Sequence, residues 1–294
     1  MASEITKYMW LWDCFSDYEA HIHQVKRTVY ACQSEYQKIE ILDCASHGRC
    51  LVLDGEIQSF ESDEFVYHEA LVQPAMIVHP NPRRVLVVGG GEGATLREVL
   101  RHHCVEEAVM VDLDRQVIDI VKQYMGELPQ GAFENPKTRL YFEEGRSFLA
   151  RQPPASFDVI VVDVTDPLEG SPSIPLYTKE FYSLAYQKLS EDGVIVTHSA
   201  PLLLKTKLVL SVLETMKSVF PKACVYAVYI KSLEAMWSFV VGSKGDLPSD
   251  LSGEDVDRRL EKRGISGLKF YSGKVHEAIL ALTEAYLKNL RAEG

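Results

Sequence analysis

The sequence predicts an α/β fold, an open and mostly parallel sheet behind a small N-terminal module of β-hairpins. Three observations predict it. From Arg83 onward, apolar runs of strand length alternate with helix-like segments, the pattern of repeated βαβ units with right-handed crossovers. The first of those runs leads directly into Gly89-Gly90-Gly91-Glu92-Gly93, a glycine-rich turn that opens a helix. Upstream, short apolar runs separated by turn residues read as hairpins instead.

In chain order, Ile39–Leu42 and Cys50–Leu53 are the hairpin strands, punctuated by His47-Gly48 and Asp54-Gly55. A helix begins near Ser62 or Asp63, either of which can cap it, with Phe65, His68 or Glu69, and Val72 close to one stripe. Pro74 and His79-Pro80-Asn81-Pro82 punctuate the chain. They divide it into a β module over residues 1–81 and a sheet domain over 82–294. Val85–Val88 is continuously apolar, as a parallel strand buried on both faces must be. The other strands are Ala108–Val111, Leu140–Phe142, Val159–Val162 and Gly193–Thr197, with Cys224–Ile230 and Trp237–Val241 as a closing pair. Helices fall at Ala94–Leu100, Arg115–Tyr124, Ser147–Ala150, Lys179–Leu189 and Lys205–Val219. In such a sheet the ligand sits beyond the carboxyl ends of the strands, at the switch point.

Composition narrows the function. With 46% hydrophobic and 25% charged residues the chain reads as an ordinary globular protein. No apolar run approaches the roughly 20 residues that span a bilayer, and the polar start lacks a signal-peptide core. Cytoplasmic residence without a membrane partner is therefore expected. A formal net charge of -11 argues against nucleic acid and suits a cationic ligand, because carboxylate-lined clefts concentrate cations. The six cysteines and nine histidines form no metal-ligand spacing, so no metal is expected.

Glycines at 89–93 let the backbone turn tightly and approach a nucleoside, with Gly89 and Gly91 the nearest candidates. Glu92 inside the turn is more informative. Pyrophosphate, or the carboxylate of intact S-adenosylmethionine, would be repelled by it, whereas a ligand carrying only an ammonium would be attracted. Asp112 ends the second strand about 20 residues later, where an acidic residue accepts from ribose hydroxyls. Asp114 reads as the cap of the next helix. Glu144-Gly145 is placed to meet an adenine edge, or else Glu144 is a solvent-facing loop carboxylate. Asp163 and Asp166 emerge together at the end of a buried strand, before Pro167. Paired carboxylates there can hold a protonated amine and take its proton; the alternative for Asp166 is a turn cap before the proline. Tyr67 and His68 present a hydroxyl and an imidazole to the cleft, if their helix is more than packing.

These residues resemble the spermidine synthase family of aminopropyltransferases. The resemblance rests on Ser34-Glu35-Tyr36-Gln37, Asp54-Gly55-Glu56-Ile57-Gln58, Asp63-Glu64-Phe65-Val66-Tyr67-His68-Glu69, and the glycine turn with Leu96-Arg97-Glu98-Val99. It also rests on His79-Pro80-Asn81-Pro82, Asp163-Val164-Thr165-Asp166-Pro167 and Leu176-Tyr177-Thr178-Lys179-Glu180-Phe181-Tyr182. It implies a Rossmann-like, methyltransferase-type sheet behind the β module, assembled as a homodimer or homotetramer. It implies decarboxylated S-adenosylmethionine as co-substrate, methylthioadenosine as product, a polyamine as acceptor, and no cofactor.

Carried over by position, Gln37, Asp112, Glu144 and Gly145 would hold the methylthioadenosine part of the donor, with Glu92 and His68 facing its aminopropyl arm. Asp163 would be the base, and Tyr67 and Asp166 would contact the acceptor amine. Trp10 resembles an aromatic of the acceptor channel. The segment between Asp163 and Tyr177 matches a loop that closes over substrates, with Pro172 on the donor side. Where putrescine-using members have Gln-Gly-Glu, this chain has His198-Ser199-Ala200, and Leu233 replaces an aromatic. Lys231 adds a positive charge near that pocket unless it points to solvent. The loop Asp166-Pro167-Leu168-Glu169-Gly170-Ser171-Pro172 is similar to that of thermospermine synthases, so spermidine is expected ahead of putrescine or agmatine as acceptor. The rival readings are a small-molecule methyltransferase and a catalytically silent, polyamine-sensing module.

Overall fold

The computed structural model describes residues 8–14, 19–166, 171 and 173–292. Its N-terminal part is a five-stranded antiparallel sheet in sequence order. The strands are β1 (Met9–Cys14), β2 (Ala20–Gln33), β3 (Lys38–Cys44), β4 (Gly48–Leu53) and β5 (Glu56–Phe60). The β4–β5 turn falls at Asp54-Gly55, both in left-handed backbone with φ of 50° and 89°, as a tight hairpin turn requires. β1 and β2 were not foreseen. The register of β2 on β3 shifts twice along its length, and such irregularity erases the two-residue alternation by which strands are read.

Helix α1 (Glu64–Val78) follows. Every residue from His68 to Val78 is buried, so the expected single stripe gives way to a helix enclosed on nearly all sides. The core around α1 runs without a break from Cys50 and Phe60 of the hairpin sheet to Val85, Val161 and Val196 of the second sheet. Asp63 sits at the cap position without capping; its Oδ2 instead accepts from the Ser232 amide at 2.8 Å.

The second sheet has seven strands in the order β11-β12-β10-β9-β6-β7-β8. β6 (Arg84–Gly89), β7 (Glu107–Asp112), β8 (Thr138–Phe142), β9 (Phe157–Asp163) and β10 (Leu189–Pro201) run parallel. β11 (Lys222–Ile230) and β12 (Ala235–Ser243) close one edge antiparallel. Alternate residues of the buried strands divide between two cores. Val85, Val159 and Val194 face α1, and Leu86, Ile160 and Ile195 face the opposite layer. The chain passes from β6 to β7 on one side and returns to β9 on the other, which makes the β6–β9 junction the switch point.

Helices α2 (Ala94–Leu100), α3 (Arg115–Tyr124), α4 (Gly145–Arg151), α5 (Lys179–Lys188) and α6 (Thr206–Lys217) lie near their expected positions. Two further helices, α7 (Gly253–Lys262) and α8 (Gly273–Ala292), were missed. The signal for α7 was present, since Ser252 and Asp255 form a reciprocal capping box. Among the described residues no helix is long and apolar enough to cross a membrane.

Candidate active site

A cavity of about 430 Å³ opens at the carboxyl ends of β6, β7 and β9, flanked by the hairpin sheet and α1. Its floor is built by the glycine turn. Gly89 has φ of +81°, and a Cβ there would stand 2.1 Å from the Asp163 carbonyl oxygen. The same carbonyl accepts from the Gly90 amide at 2.7 Å. Only a residue without a side chain lets the ends of β6 and β9 come so close.

Asp163 is held from two sides. Its Oδ1 accepts from the Tyr67 hydroxyl at 2.8 Å and its Oδ2 from the Thr95 hydroxyl. Burial, reinforced by the charge of Asp163, pushes the Tyr67 phenol well above its ordinary value, so Tyr67 remains a donor. The residues expected to act together here are brought together.

His68 is placed differently from the expectation. It is fully buried and stands behind Glu92 instead of facing the cleft. Its Nδ1 lies 2.8 Å from Glu64 Oε2 and its Nε2 contacts Glu92 Oε1. Glu64 in turn takes a two-pronged contact from Arg97, at 3.0 Å from each guanidinium nitrogen. The other oxygen of Glu92 accepts from Ser59. Burial opposes charge on His68, but the charge of Glu92 and the bonds to both carboxylates overcome it and raise its pKa well above 6.5. Burial likewise opposes charge on Glu64, yet His68 and Arg97 bring its carboxyl down to about 2. A charged imidazolium thus backs Glu92. His68, Glu92 and Asp163 offer nitrogen and oxygen atoms within 4.8 Å of one another, but His68 has both ring nitrogens engaged. What is left facing the cavity is carboxylate, which suits an ammonium better than a metal ion needing an imidazole lone pair.

On the side of β7 and β8, Asp112 lines the cavity, and burial raises its pKa to about 6. Its Oδ1 accepts from the Asp114 amide at 2.8 Å. Asp114 caps α3 through Gln116 as expected, and also accepts from Ser34 at 2.6 Å and from the Gln37 amide group at 3.2 Å. Gln37, Gly91 and Gly145 all line this end, with Leu51, Leu113 and Val117 as its apolar wall. A Cβ on Gly145 would lie 2.5 Å from Val88 Cγ1. Glu144 lines the cavity too, but its two oxygens cap α4, accepting from Arg146 and Ser147 amides at 2.8 and 2.7 Å. It is neither a free loop carboxylate nor wholly available to a ligand.

Toward β10 and β12 the wall consists of Asp166, His198, Lys205, Leu233 and Trp237. Asp166 Oδ1 lies 3.5 Å from His198 Nδ1, and Oδ2 lies 3.7 Å from Lys205 Nζ. Trp237 donates to His198 Nδ1 at 3.3 Å, while His198 Nε2 contacts the Val164 carbonyl and, at 3.0 Å, the Tyr177 hydroxyl. A carbonyl only accepts, so this network assigns the proton to Nε2. Burial raises the pKa of Asp166 despite His198 and Lys205. Asp13 and Glu56 complete this end. Burial raises Asp13 to about 6, helped by the charges of Glu56 and Asp166, and burial with Asp166 raises Glu56.

Trp10 is the residue the structure does not bring in. Successive side chains of a strand point to opposite faces; among the described lining residues β1 contributes Asp13, not Trp10, and the aromatic wall is Trp237. Lys231 is exposed, and the cation at the cavity is Lys205. Ala200 is buried without lining the cavity. Pro172 and residues 167–170 lie outside the described residues. Sequence reasoning missed Asp13, Lys205 and Trp237 as site residues, and touched His198 only as part of the His198-Ser199-Ala200 segment that differs from putrescine-using members. Glu56 carried a signal, since it stands in the Asp54–Gln58 segment already singled out.

Two family models match the chain. A spermine/spermidine synthase domain matches residues 64–250, and a spermidine synthase tetramerisation domain matches residues 9–61. The polyamine aminopropyltransferase 1 of Hyperthermus butylicus is 45% identical over 263 residues, 89% of this chain and 90% of its own. The polyamine aminopropyltransferase of Sulfurisphaera tokodaii is 38% identical over 290 residues, 98% of this chain and 95% of its own. Among solved structures, the spermidine synthase of Thermotoga maritima matches with a TM-score of 0.87 at 32% identity, covering 97% of this chain and 95% of that one. A spermidine synthase in complex with the transition state analogue AdoDATO gives a TM-score of 0.88, with the same identity of 32% and coverage of 97% and 95%.

Proposed function

The chain belongs to the spermine/spermidine synthase family and is a polyamine aminopropyltransferase, and within that activity we propose that it converts spermidine to thermospermine. Decarboxylated S-adenosylmethionine is the co-substrate, and the reaction is a single displacement. The acceptor nitrogen attacks the methylene next to the sulfonium, the carbon–sulfur bond breaks, and its electron pair leaves with methylthioadenosine. The sulfonium is already the electrophile, so the protein chiefly positions and desolvates the reactants.

In this reading Asp163 takes the proton that the attacking ammonium must lose, and Tyr67 and Thr95 fix its carboxylate. Asp166, in the cavity wall beside it, holds the acceptor. Glu92, backed by the His68 imidazolium, meets the amine of the aminopropyl arm. Asp112 and Gln37 hold the nucleoside end. His68 acts through Glu92 and touches no substrate. The β module, matched by a tetramerisation domain, supports a homodimer or homotetramer, and the working compartment is the cytosol.

The observation that carries the choice of spermidine is the acidic end of the cavity. Beyond Asp166 stand two further carboxylates, Asp13 and Glu56, with Leu233 in place of a bulkier aromatic. A diamine has no second ammonium for them; a triamine has. Steady-state kinetics with spermidine, putrescine, agmatine and norspermidine at one donor concentration test the reading, with chromatographic separation of thermospermine from spermine. A highest kcat/KM with putrescine or agmatine, or spermine as the product, overturns it. Product masses after incubation with S-adenosylmethionine or its decarboxylated form exclude or establish methyl transfer in the same assay.

A further inference from the structure

Lys205 has no part in the chemistry described above, yet it stands inside the cavity. It occupies the cap position of α6, where its amide donates to the Pro201 carbonyl at 2.9 Å and fixes the start of the helix. Its side chain is four-fifths buried, and Nζ lies 3.7 Å from Asp166 Oδ2. Lys205 is the one lysine or arginine lining the cavity among the described residues. The charge of Lys205 also reaches Asp13 and Glu56.

We propose that Lys205 is a specificity-determining residue that sets the number of charges on the acceptor by occupying one unit of carboxylate charge at the acceptor end of the cavity. Among the described residues, Asp13, Glu56 and Asp166 are the lining carboxylates on which the charge of Lys205 acts, with exposed Asp54 beside Glu56. Of these three negative charges Lys205 neutralises one, leaving two. Once a triamine has given up a proton from its reacting nitrogen at Asp163, two ammonium groups remain. The match is one to one. A diamine leaves one carboxylate uncompensated, and a tetraamine brings one ammonium too many; both mismatches cost binding in a partly dry site. The balance without ligand is visibly incomplete. Burial and repulsion from neighbouring carboxylates, Glu56 and Asp166 for Asp13 and Asp166 and Asp54 for Glu56, still hold both above their ordinary values despite Lys205. The Lys205–Asp166 contact thus resembles an enzyme–substrate contact, with an internal ammonium standing where a further acceptor ammonium would go.

The inference deepens the triamine reading and rests on it, so the wild-type acceptor panel is measured first. The decisive measurement is the ratio of the inhibition constant of spermine, a tetraamine, to the KM of spermidine at saturating donor. Lys205→Met should lower that ratio about tenfold, because the freed carboxylate accepts the extra ammonium. Lys205→Arg keeps the charge and should restore the wild-type ratio. Asp13→Asn removes a negative charge instead and should shift preference the opposite way, toward putrescine. Donor affinity measured alongside reports any general damage to the site. The inference is overturned if spermine and spermidine move together in Lys205→Met, if Lys205→Arg behaves like Lys205→Met, or if Lys205→Met and Asp13→Asn shift selectivity in the same direction. A wild type that prefers putrescine refutes the triamine reading by itself, and the two variants then still show whether Lys205 counts charge.

Discussion

The Tyr67 hydroxyl donates to Asp163 across 2.8 Å, joining α1 to the end of β9 over 96 residues of chain. With Thr95 on its second oxygen, the carboxylate has little rotational freedom and keeps lone pairs directed into the cavity. A base fixed in this way needs no reorganisation when an amine arrives, which is the condition under which general-base assistance is most effective.

Asp163→Asn keeps the shape of the group and its bond to Tyr67 but removes the proton acceptor. Turnover should fall by about 10²-fold or more, with the dissociation constant of the donor nearly unchanged in titration calorimetry. Tyr67→Phe frees one oxygen of Asp163 and should fall by a smaller factor, on the order of tenfold. Near-wild-type turnover in Asp163→Asn removes it from the role of base.

Glu92 is tied to His68, Glu64 and Arg97 in one buried chain of alternating charge. Glu92→Gln should weaken binding of decarboxylated S-adenosylmethionine and improve the relative binding of the intact form, whose carboxylate Glu92 would repel under the proposed role. Calorimetry with both ligands reads this directly. His68→Gln leaves Glu64 and Glu92 without their shared cation, a loss of about 3–5 kcal/mol by analogy with broken buried pairs. Because the folded-state pKa of His68 is raised above 6.5, its contribution is fully present below pH 6.5 and is lost as pH rises through the folded-state value. The stability gap between wild type and His68→Gln in thermal unfolding should therefore narrow toward alkaline pH.

Much of this was readable from the chain, for definite reasons. Asp163 ends a run of four apolar residues that only a buried parallel strand explains, and Gly89 precedes a helix, so both had to meet at the strand ends. His68 was misplaced because α1 is buried on nearly all sides from His68 onward, and a spacing argument cannot say which neighbour encloses a residue of such a helix. Asp13 and Lys205 were illegible for a different reason. One reaches the cavity through the pairing of β1 on β2, the other through the way α6 starts beside Asp166. Neither position announces itself by residue type or local pattern. Trp10 was the natural choice in β1 by residue type, yet the alternation of the strand turns Asp13 inward.

Asp13 gives the acceptor site a pH dependence of its own. Its carboxyl is raised to about 6, first by burial, then by the charges of Glu56 and Asp166, with His21 and Lys205 acting the other way. An acceptor ammonium beside it favours the ionised form, so binding must pull the pKa down and release a proton near pH 6. The sign follows. Above pH 6 Asp13 is ionised before the acceptor arrives and binding is strongest. Below pH 6 it must first lose a proton, and the KM for the acceptor should rise by up to tenfold per pH unit for one linked proton. Glu56 and Asp166, also raised by burial, act in the same direction, so the wild-type profile alone does not isolate Asp13. Asp13→Asn does: it should have a higher KM at pH 7.5 and a flatter profile between pH 7 and 5. Calorimetry in two buffers of different ionisation enthalpy counts the protons released on acceptor binding near pH 6, and that count should fall in Asp13→Asn. An unchanged slope and an unchanged proton count in the variant would show that Asp13 does not meet the acceptor.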